Sequence, residues 1–521
     1  MWDGYIYATA INGAAQSPPA LSALRLAGHA SHASAALAIA VQALAPDEYW
    51  PTLLLGALLV GLAALAFHRL AAIAFPGTNR AVDRALLTAA FAVQPSLLAA
   101  AVQPGLDLPL VPAFLWCTVL MLEGRTLATI LVGVAFAFTK ETGVLLYASL
   151  LATYGVWTII RTAGPARDRL VAALRLAPLA TPGVLFCLYL LVRRQLIPAG
   201  EALMWNAGTA MINQSLLRQV LVPRIDRYVA SYLAIVAVLN FAWVVTVFVT
   251  AAVVVVVKRL GSRRLVTESV RFASTPAGFV TLAALASTFA LTRFASYANS
   301  RYLLPVIALS LVPFLLSLDA LRLPPLFRRA VVAALGLAFV ASNVRTLDPV
   351  SRGLFGTFAF GDHRMLRLTS ITHECCASGR DQLVYSLEFT RLERLMSDAL
   401  AALSPGDSTL IVLPDSTNWY TASLLDSATN RRTFAPRRSF PPAVIESDSA
   451  ALFTDRFSRG AYLALPNGSP DRGLAVLARD FVVGPERRFA RDGYVLSAYP
   501  LTARSSGSPG RNALSDVPGR P

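Results

Sequence analysis

The chain has 521 residues, of which 55% are apolar and only 15% charged, whereas an ordinary soluble domain carries roughly a quarter charged residues. A mean hydropathy of +0.56 excludes both a soluble enzyme and a single-anchor protein, because one span uses only about 20 residues and barely moves the average of so long a chain. The formal charge of +16 does not point to nucleic acid, because the basic residues stand in short clusters between apolar runs, as membrane orientation requires.

Met1 to Tyr7 lacks the basic stretch and following apolar run of a signal peptide. Residues 33–45 are apolar but too few to cross a hydrocarbon layer of about 30 Å, so they predict an interfacial or re-entrant helix. Residues 1–50 therefore read as an outer loop plus juxtamembrane helix. Spans are predicted at 51–75, 84–102, 108–122, 126–138, 142–160, 170–192, 228–257, 277–293, 302–318 and 329–342, two of them short. Together they define a membrane domain over 51–343. Arg80 and Arg84, Arg125, Arg161 with Arg167 and Arg169, Lys258 to Arg264, and Arg322 with Arg328 and Arg329 fall in every second loop, which makes those loops cytoplasmic. The alternate loops, and everything after about 343, then lie outside. An outer N-terminus without a signal predicts a further helix upstream of Met1, or a first hairpin that carries the segment across.

From about residue 345 charged, Ser, Pro and Gly residues increase. A helical pattern at 387–403 and short apolar runs at 408–413 and 461–465 predict a soluble α/β domain over 344–503. The tail at 504–521 has too little apolar content to fold. The expected fold class is a polytopic α-helical membrane protein of about ten spans with a C-terminal extracytoplasmic α/β domain. No internal repeat stands out. Cys117 and Cys187 lie in apolar runs and Cys375 adjoins Cys376, spacings that form neither a metal nor a redox framework.

Ionisable residues at span ends and in outer loops are the informative ones, because burying them is costly unless they are used or paired. Asp3, between the rings of Trp2 and Tyr5, is either a general base for an acceptor hydroxyl or an acid in a frayed terminus beside interfacial aromatics. His29 and His32, three apart, could face one ion or one anionic ligand, or serve as polar residues at a helix start. Asp107 reads equally as a catalytic carboxylate and as a helix cap. Lys140 and Glu141 interrupt an apolar stretch, and the chain's only lysines are Lys140 and Lys258. A compact ammonium at a membrane edge suits a phosphate oxygen, and the alternative is a Lys140–Glu141 ion pair. Arg293, Arg301 and Tyr302 lie at facing ends of the last outer hairpin, where the arginines clamp a phosphate or snorkel to headgroups, and Arg193 and Arg194 carry the same two readings. The 193–227 loop, with Trp205, Asn206, Asn213 and Gln214, has the mix that stacks on sugars. Nucleotide-phosphate loops, serine-hydrolase elbows and zincin motifs are absent, so energy for any reaction must arrive with a membrane-borne substrate.

The order of these features resembles the GT-C superfamily of lipid-linked-sugar glycosyltransferases, in the branch of protein O-mannosyltransferases and the lipid A aminoarabinose transferase. Asp3 in WDGYIYATA resembles the first outer acidic motif, Gly28-His29 a turn before a juxtamembrane helix, and 33–45 that helix. Gln103 to Leu108 resembles the second acidic position, FTKETG at 138–143 the lysine loop, and SRYLLP at 300–305 the arginine-tyrosine motif. Two positions depart from the pattern: Ala30-Ser31 stands where the family has Pro-Pro, and the family's first helix has no counterpart ahead of Asp3. The resemblance implies transfer of a sugar from a polyprenyl-phosphate donor to a lipid, glycan or protein acceptor on the outer face. It implies Asp3 as general base with Asp107 assisting. Lys140, Arg301, Tyr302 and neighbouring Glu141 and Arg293 would serve the donor phosphate, and a divalent cation held with His29 is an optional component. Composition and topology point to a bacterial inner membrane. The alternative function is a transporter or flippase of a lipid-linked or anionic solute, for which the lack of a repeat and the clustering of ionisable residues at one face are unfavourable signs.

Overall fold

The computed structural model describes residues 11–16, 31–46, 48–103, 105–162, 164–196, 227–294, 300–360, 363–368, 382–387, 391, 395, 398–399, 402, 409–413, 443–446, 459–464, 474–475, 477–491 and 494–504. Asp3, His29, Trp205, Asn206, Asn213, Gln214, Cys375, Cys376 and residues 505–521 of the tail lie outside the described residues, as do the side chains of Arg193, Arg194 and Arg293. The chain divides into two compact units, residues 1–388 with 432–435, and 389–431 with 436–521.

The first unit is helical. Helix α1 (His32–Gln42) is the predicted juxtamembrane segment, and α2 (Trp50–Ala74) is the first full span. Along α2 the buried positions are Gly56, Leu59, Ala63, Ala66, Phe67, Leu70 and Ala71, at helical spacing, while Leu54, Leu58, Leu62 and Leu65 are exposed. That exposed apolar stripe is a liability in water and a normal surface in lipid. Helices α3 (Ala81–Ala92) and α4 (Pro95–Ala101) follow, then α5 (Leu110–Leu122), α6 (Thr126–Ala137) and α7 (Glu141–Arg161). Helix α5 is apolar all round and therefore buried: it packs against α2, α6 and α7, and Leu110, Phe114, Leu115 and Cys117 are fully enclosed. The bundle is completed by α8 (Ala166–Leu174), α9 (Thr181–Leu196), α10 (Arg227–Val238), α11 (Ala242–Ala273), α12 (Pro276–Phe294), a 3-10 turn at Ser300–Leu303, α13 (Leu304–Ala320) and α14 (Pro325–Val344). A short helix α15 (Pro349–Phe355) and the antiparallel hairpin β1 (Thr357–Phe360) and β2 (His363–Leu366) close the unit.

Among the described residues five helices are long and apolar enough to cross a membrane, or up to eight if each bent pair is one span. The ten predicted spans thus need several qualifications, one at 228–257, where a kink at Asn240 and Phe241 divides α10 from α11. The segment predicted at 84–102 bends by 53° where Pro95 opens α4, with the Gln94 side chain accepting from the Leu97 N–H at 3.2 Å. The segment at 170–192 is a second bent pair, and the one at 277–293 turns by 90° out of the end of α11. Helices α5 and α6, of 13 and 12 residues, are shorter than a full span, and α5 is surrounded by its neighbours.

In the second unit β3 (Thr409–Leu413), β4 (Ala443–Glu446), β5 (Arg459–Leu463), β6 (Phe481–Val483), β7 (Arg487–Arg491) and β8 (Tyr494–Ala503) form a mixed sheet. Strand β3 runs parallel to β4 and β5, and β8 runs antiparallel to β5, β6 and β7. Tyr462, Leu477, Phe481 and Leu501 form its core, and helical positions between 391 and 402 bury Leu395 and Ala399. The two runs predicted as strands, 408–413 and 461–465, correspond to β3 and β5.

Candidate active site

The loops 102–109, 138–140 and 300–303 meet at one end of the helical unit. Lys140 adopts an extended backbone (φ −168°, ψ 159°) just before α7, and its side chain turns into the protein. Its Nζ donates to Asp107 Oδ1 at 2.7 Å, and both residues are about 95% buried, at 6% and 5% exposure. Arg301, on the 3-10 turn, places Nε 3.4 Å from Asp107 Oδ2, and its side chain keeps 20% exposure. Tyr302 brings its ring centroid to 4.4 Å from Lys140 Nζ, a cation–π contact, with the Arg301 guanidinium at 5.8 Å from the same ring. Burial works to lower the pKa of Lys140, but the Asp107 carboxylate outweighs it and the net effect is upward, so the ammonium is kept.

Three details hold the lysine loop in place. Ala33 N–H donates to Phe138 O at 3.0 Å and Ser34 Oγ to Thr139 O at 3.1 Å, so α1 clasps the loop. The Lys140 carbonyl accepts from Gly143 N–H at 2.8 Å. A Cβ on Gly143 would stand 2.2 Å from Phe136 O, so the α6–α7 elbow closes only because residue 143 has no side chain. Beside the loop His32, Phe138 and Tyr189 meet edge to face, with ring centroids 5.0 to 5.9 Å apart. Between α1, α2 and the 101–109 loop lies an open recess lined by Ser34, Leu37, Gln42, Leu55, Gly56 and Leu106 among others.

The structure thus brings together Asp107, Lys140, Arg301 and Tyr302 from three loops. The helix-cap reading of Asp107 is not realised: Pro109 holds the cap position of α5 without a side-chain bond, while the carboxylate faces the two cations. The partner that Lys140 takes is Asp107, 33 residues away, and Glu141 begins α7 beside it. His32 sits in the aromatic cluster, and among the described residues there is no group of three or more His, Cys, Asp or Glu that could hold a metal. Sequence reasoning passed over Ser34, whose hydroxyl fixes the loop and whose only signal was its place in the juxtamembrane helix. Asp348, described below, was missed too, although Asp-Pro at a helix start was a readable cap.

Fold and site define a multi-pass α-helical membrane protein with a buried carboxylate–ammonium–guanidinium cluster at one end of its helices and a C-terminal strand region. Similar solved structures are those of ArnT from Cupriavidus metallidurans, one bound to undecaprenyl phosphate (17% identity, TM-score 0.47) and one in the apo state (18% identity, TM-score 0.48), each alignment covering 95% of this chain and 93% of the other. A likeness of that size carries no assignment of family or function. No protein-family model and no curated protein matches the chain.

Proposed function

We propose that the chain is a membrane glycosyltransferase that moves a sugar from a polyprenyl-phosphate donor to an acceptor hydroxyl or other nucleophile at the outer face of a bacterial inner membrane. The observation that carries this reading is the convergence of Lys140 and Arg301 on Asp107. An ammonium and a guanidinium fixed side by side at a membrane edge are the groups that neutralise a phosphate leaving with a lipid tail. Asp107 orients both, so no reorganisation is needed as charge develops. The acceptor oxygen bonds to the anomeric carbon of the sugar, the bond from that carbon to the phosphate oxygen breaks, and the acceptor proton passes to a base. Asp3 is the proposed base on the resemblance of its motif. The recess beside α1 and α2, lined largely by apolar side chains, suits a hydrocarbon chain.

A divalent cation fits the described residues poorly. The carboxylate at the site, Asp107, already faces two cations, and a dication there would be repelled by both.

The test is release of polyprenyl phosphate from a panel of radiolabelled polyprenyl-phosphate sugars by the purified protein in lipid, with and without EDTA. One donor is expected to be consumed, and release should fall by about 100-fold or more in Asp3→Asn and in Lys140→Ala. No release with any donor, from well-folded protein supplied with mixed membrane acceptors, overturns the reading in favour of transport of a lipid-linked or anionic solute.

A further inference from the structure

Between α10 and α11 the chain takes a conformation that side chains rarely adopt. Asn240 (φ 51°, ψ 55°) and Phe241 (φ 66°, ψ 10°) are consecutive left-handed residues, and neither is glycine. Phe241 costs roughly 1–2 kcal/mol against a right-handed residue, and Asn240 less, so the kink persists because its surroundings hold it.

The holding group is Asp348, which is 1% exposed. Its Oδ2 accepts from the Phe241 N–H at 2.6 Å and from Ser351 Oγ at 2.5 Å, and its Oδ1 from Trp243 Nε1 at 2.9 Å. The same oxygen caps α15 through the N–H groups of Val350 and Ser351, at 3.0 and 3.2 Å. Ser351 Oγ in turn accepts from the Asn240 N–H at 3.0 Å. Both amides that the kink removes from helical pairing are thus satisfied by side chains more than a hundred residues away in sequence.

The kink decides where α10 goes. Helix α10 folds back on α11, packs on α12 and reaches the 3-10 turn that carries Arg301 and Tyr302, with Tyr232 and Ile235 of α10 fully buried. The segment that holds the kink is itself tied down: Thr346 Oγ1 donates to Arg364 O at 2.6 Å, Gln382 Nε2 to Thr346 Oγ1 at 2.6 Å, and Gln103, four residues before Asp107, bonds to Ser386.

We infer that Asp348 is a positioning residue for the site: through the 240–241 kink it seats α10 against the turn that presents Arg301 and Tyr302. Its catalytic consequence rests on the proposed transferase reading, and its structural consequence does not. The experiment uses the full chain in lipid nanodiscs and compares Asp348→Leu, the conservative Asp348→Asn, and Ser351→Ala as a milder loss. Hydrogen exchange is followed by mass spectrometry over 227–245, 300–304 and, as a control, 50–74. In Asp348→Leu, exchange is expected to accelerate at least tenfold over 227–245 and 300–304 and to stay unchanged over 50–74. Release of polyprenyl phosphate per folded molecule should fall about tenfold in kcat with KM moving less than threefold, the pattern of displaced groups that act in the transition state. Asp348→Asn, which keeps one acceptor oxygen, for the Phe241 N–H or for Trp243 Nε1 but not for both, should restore only part of both, and Ser351→Ala, which leaves the carboxylate in place, should disturb them less than Asp348→Leu. Unchanged exchange at 300–304, or faster exchange there with kcat intact, overturns the inference. If wild type consumes no donor, the transferase reading falls, and the exchange measurement still decides whether Asp348 positions the turn.

Discussion

At the scale of single residues the site is an ion pair in a dry setting, and such pairs respond asymmetrically to mutation. Removing one partner leaves the other charged and buried, which typically costs about 3–5 kcal/mol, more than the intact pair contributes. Lys140→Met is therefore expected to lower stability by that order while Asp107→Asn with Lys140→Met together costs less than either alone. Thermal unfolding of the three variants in detergent checks this, and additive losses would refute it. Lys140→Arg keeps the charge but brings a planar fork where a compact ammonium contacts the Tyr302 ring at 4.4 Å, so it should fold and still lose donor turnover. These residues were legible in the sequence because a lysine in a chain that otherwise uses arginine, set in an apolar run, is conspicuous. Their pairing was not legible: Lys140–Glu141 was the nearer guess, and only the fold brings Asp107 across 33 residues.

At the scale of elements, short connections do the positioning. The α6–α7 elbow is closed by Gly143, whose missing Cβ lets α7 approach Phe136 O. Gly143→Ala has no flexible side chain to displace there, since the obstacle is backbone, so the elbow must open and carry Lys140 with it. Expected outcomes are a loss of donor release comparable to that of Lys140→Ala and a lower unfolding temperature, whereas Gly155→Ala in the same helix, where nothing lies within 4 Å, should be neutral or slightly stabilising. Apolar runs announced nearly all of these helices, because lipid exposure writes itself into composition. Breaks were harder to see. The segment 84–102 was predicted as one span although Pro95 marks its bend, and the 240–241 kink has no Gly or Pro, its cause lying in Asp348, which no local pattern around Asn240 reveals.

At the scale of the whole molecule, charge is concentrated at the two ends of the bundle with different chemistry. Arg301 precedes α13 and Asp319 lies near its far end, so the second cluster stands roughly 25 Å away along the helix. There Asp83, 1% exposed, is held by Arg328 Nη2 at 2.5 Å, Arg329 Nε at 3.0 Å and Arg80 Nη1 at 3.3 Å, while Asp319 receives Arg80 and Arg328 at 2.9 Å each. Because this network joins α3 to the α13–α14 hairpin and touches none of the site residues, Asp83→Ala should cost stability, again about 3–5 kcal/mol, and leave the affinity for polyprenyl phosphate within about twofold; equilibrium binding beside thermal unfolding separates the two. Alternation of arginine-bearing loops predicted that Arg80, Arg84, Arg322, Arg328 and Arg329 share one side, and the shared cluster of Arg80, Arg328 and Arg329 accords with that. The strand order of the second unit was not foreseeable, because β4 lies in sequence with no apolar run long enough to announce it.

Cys187 supplies a native chemical ruler. It is exposed on α9, next to Phe186, which is 3% exposed and whose ring lies 5.5 Å from that of Phe138, so a fluorophore attached to that thiol, in a chain with Cys375 and Cys376 replaced by serine, sits one residue from the wall of the lysine loop. Lipids carrying nitroxides at graded depths would quench it in proportion to proximity, and the depth of the site below the headgroups could be read in ångströms without any substrate.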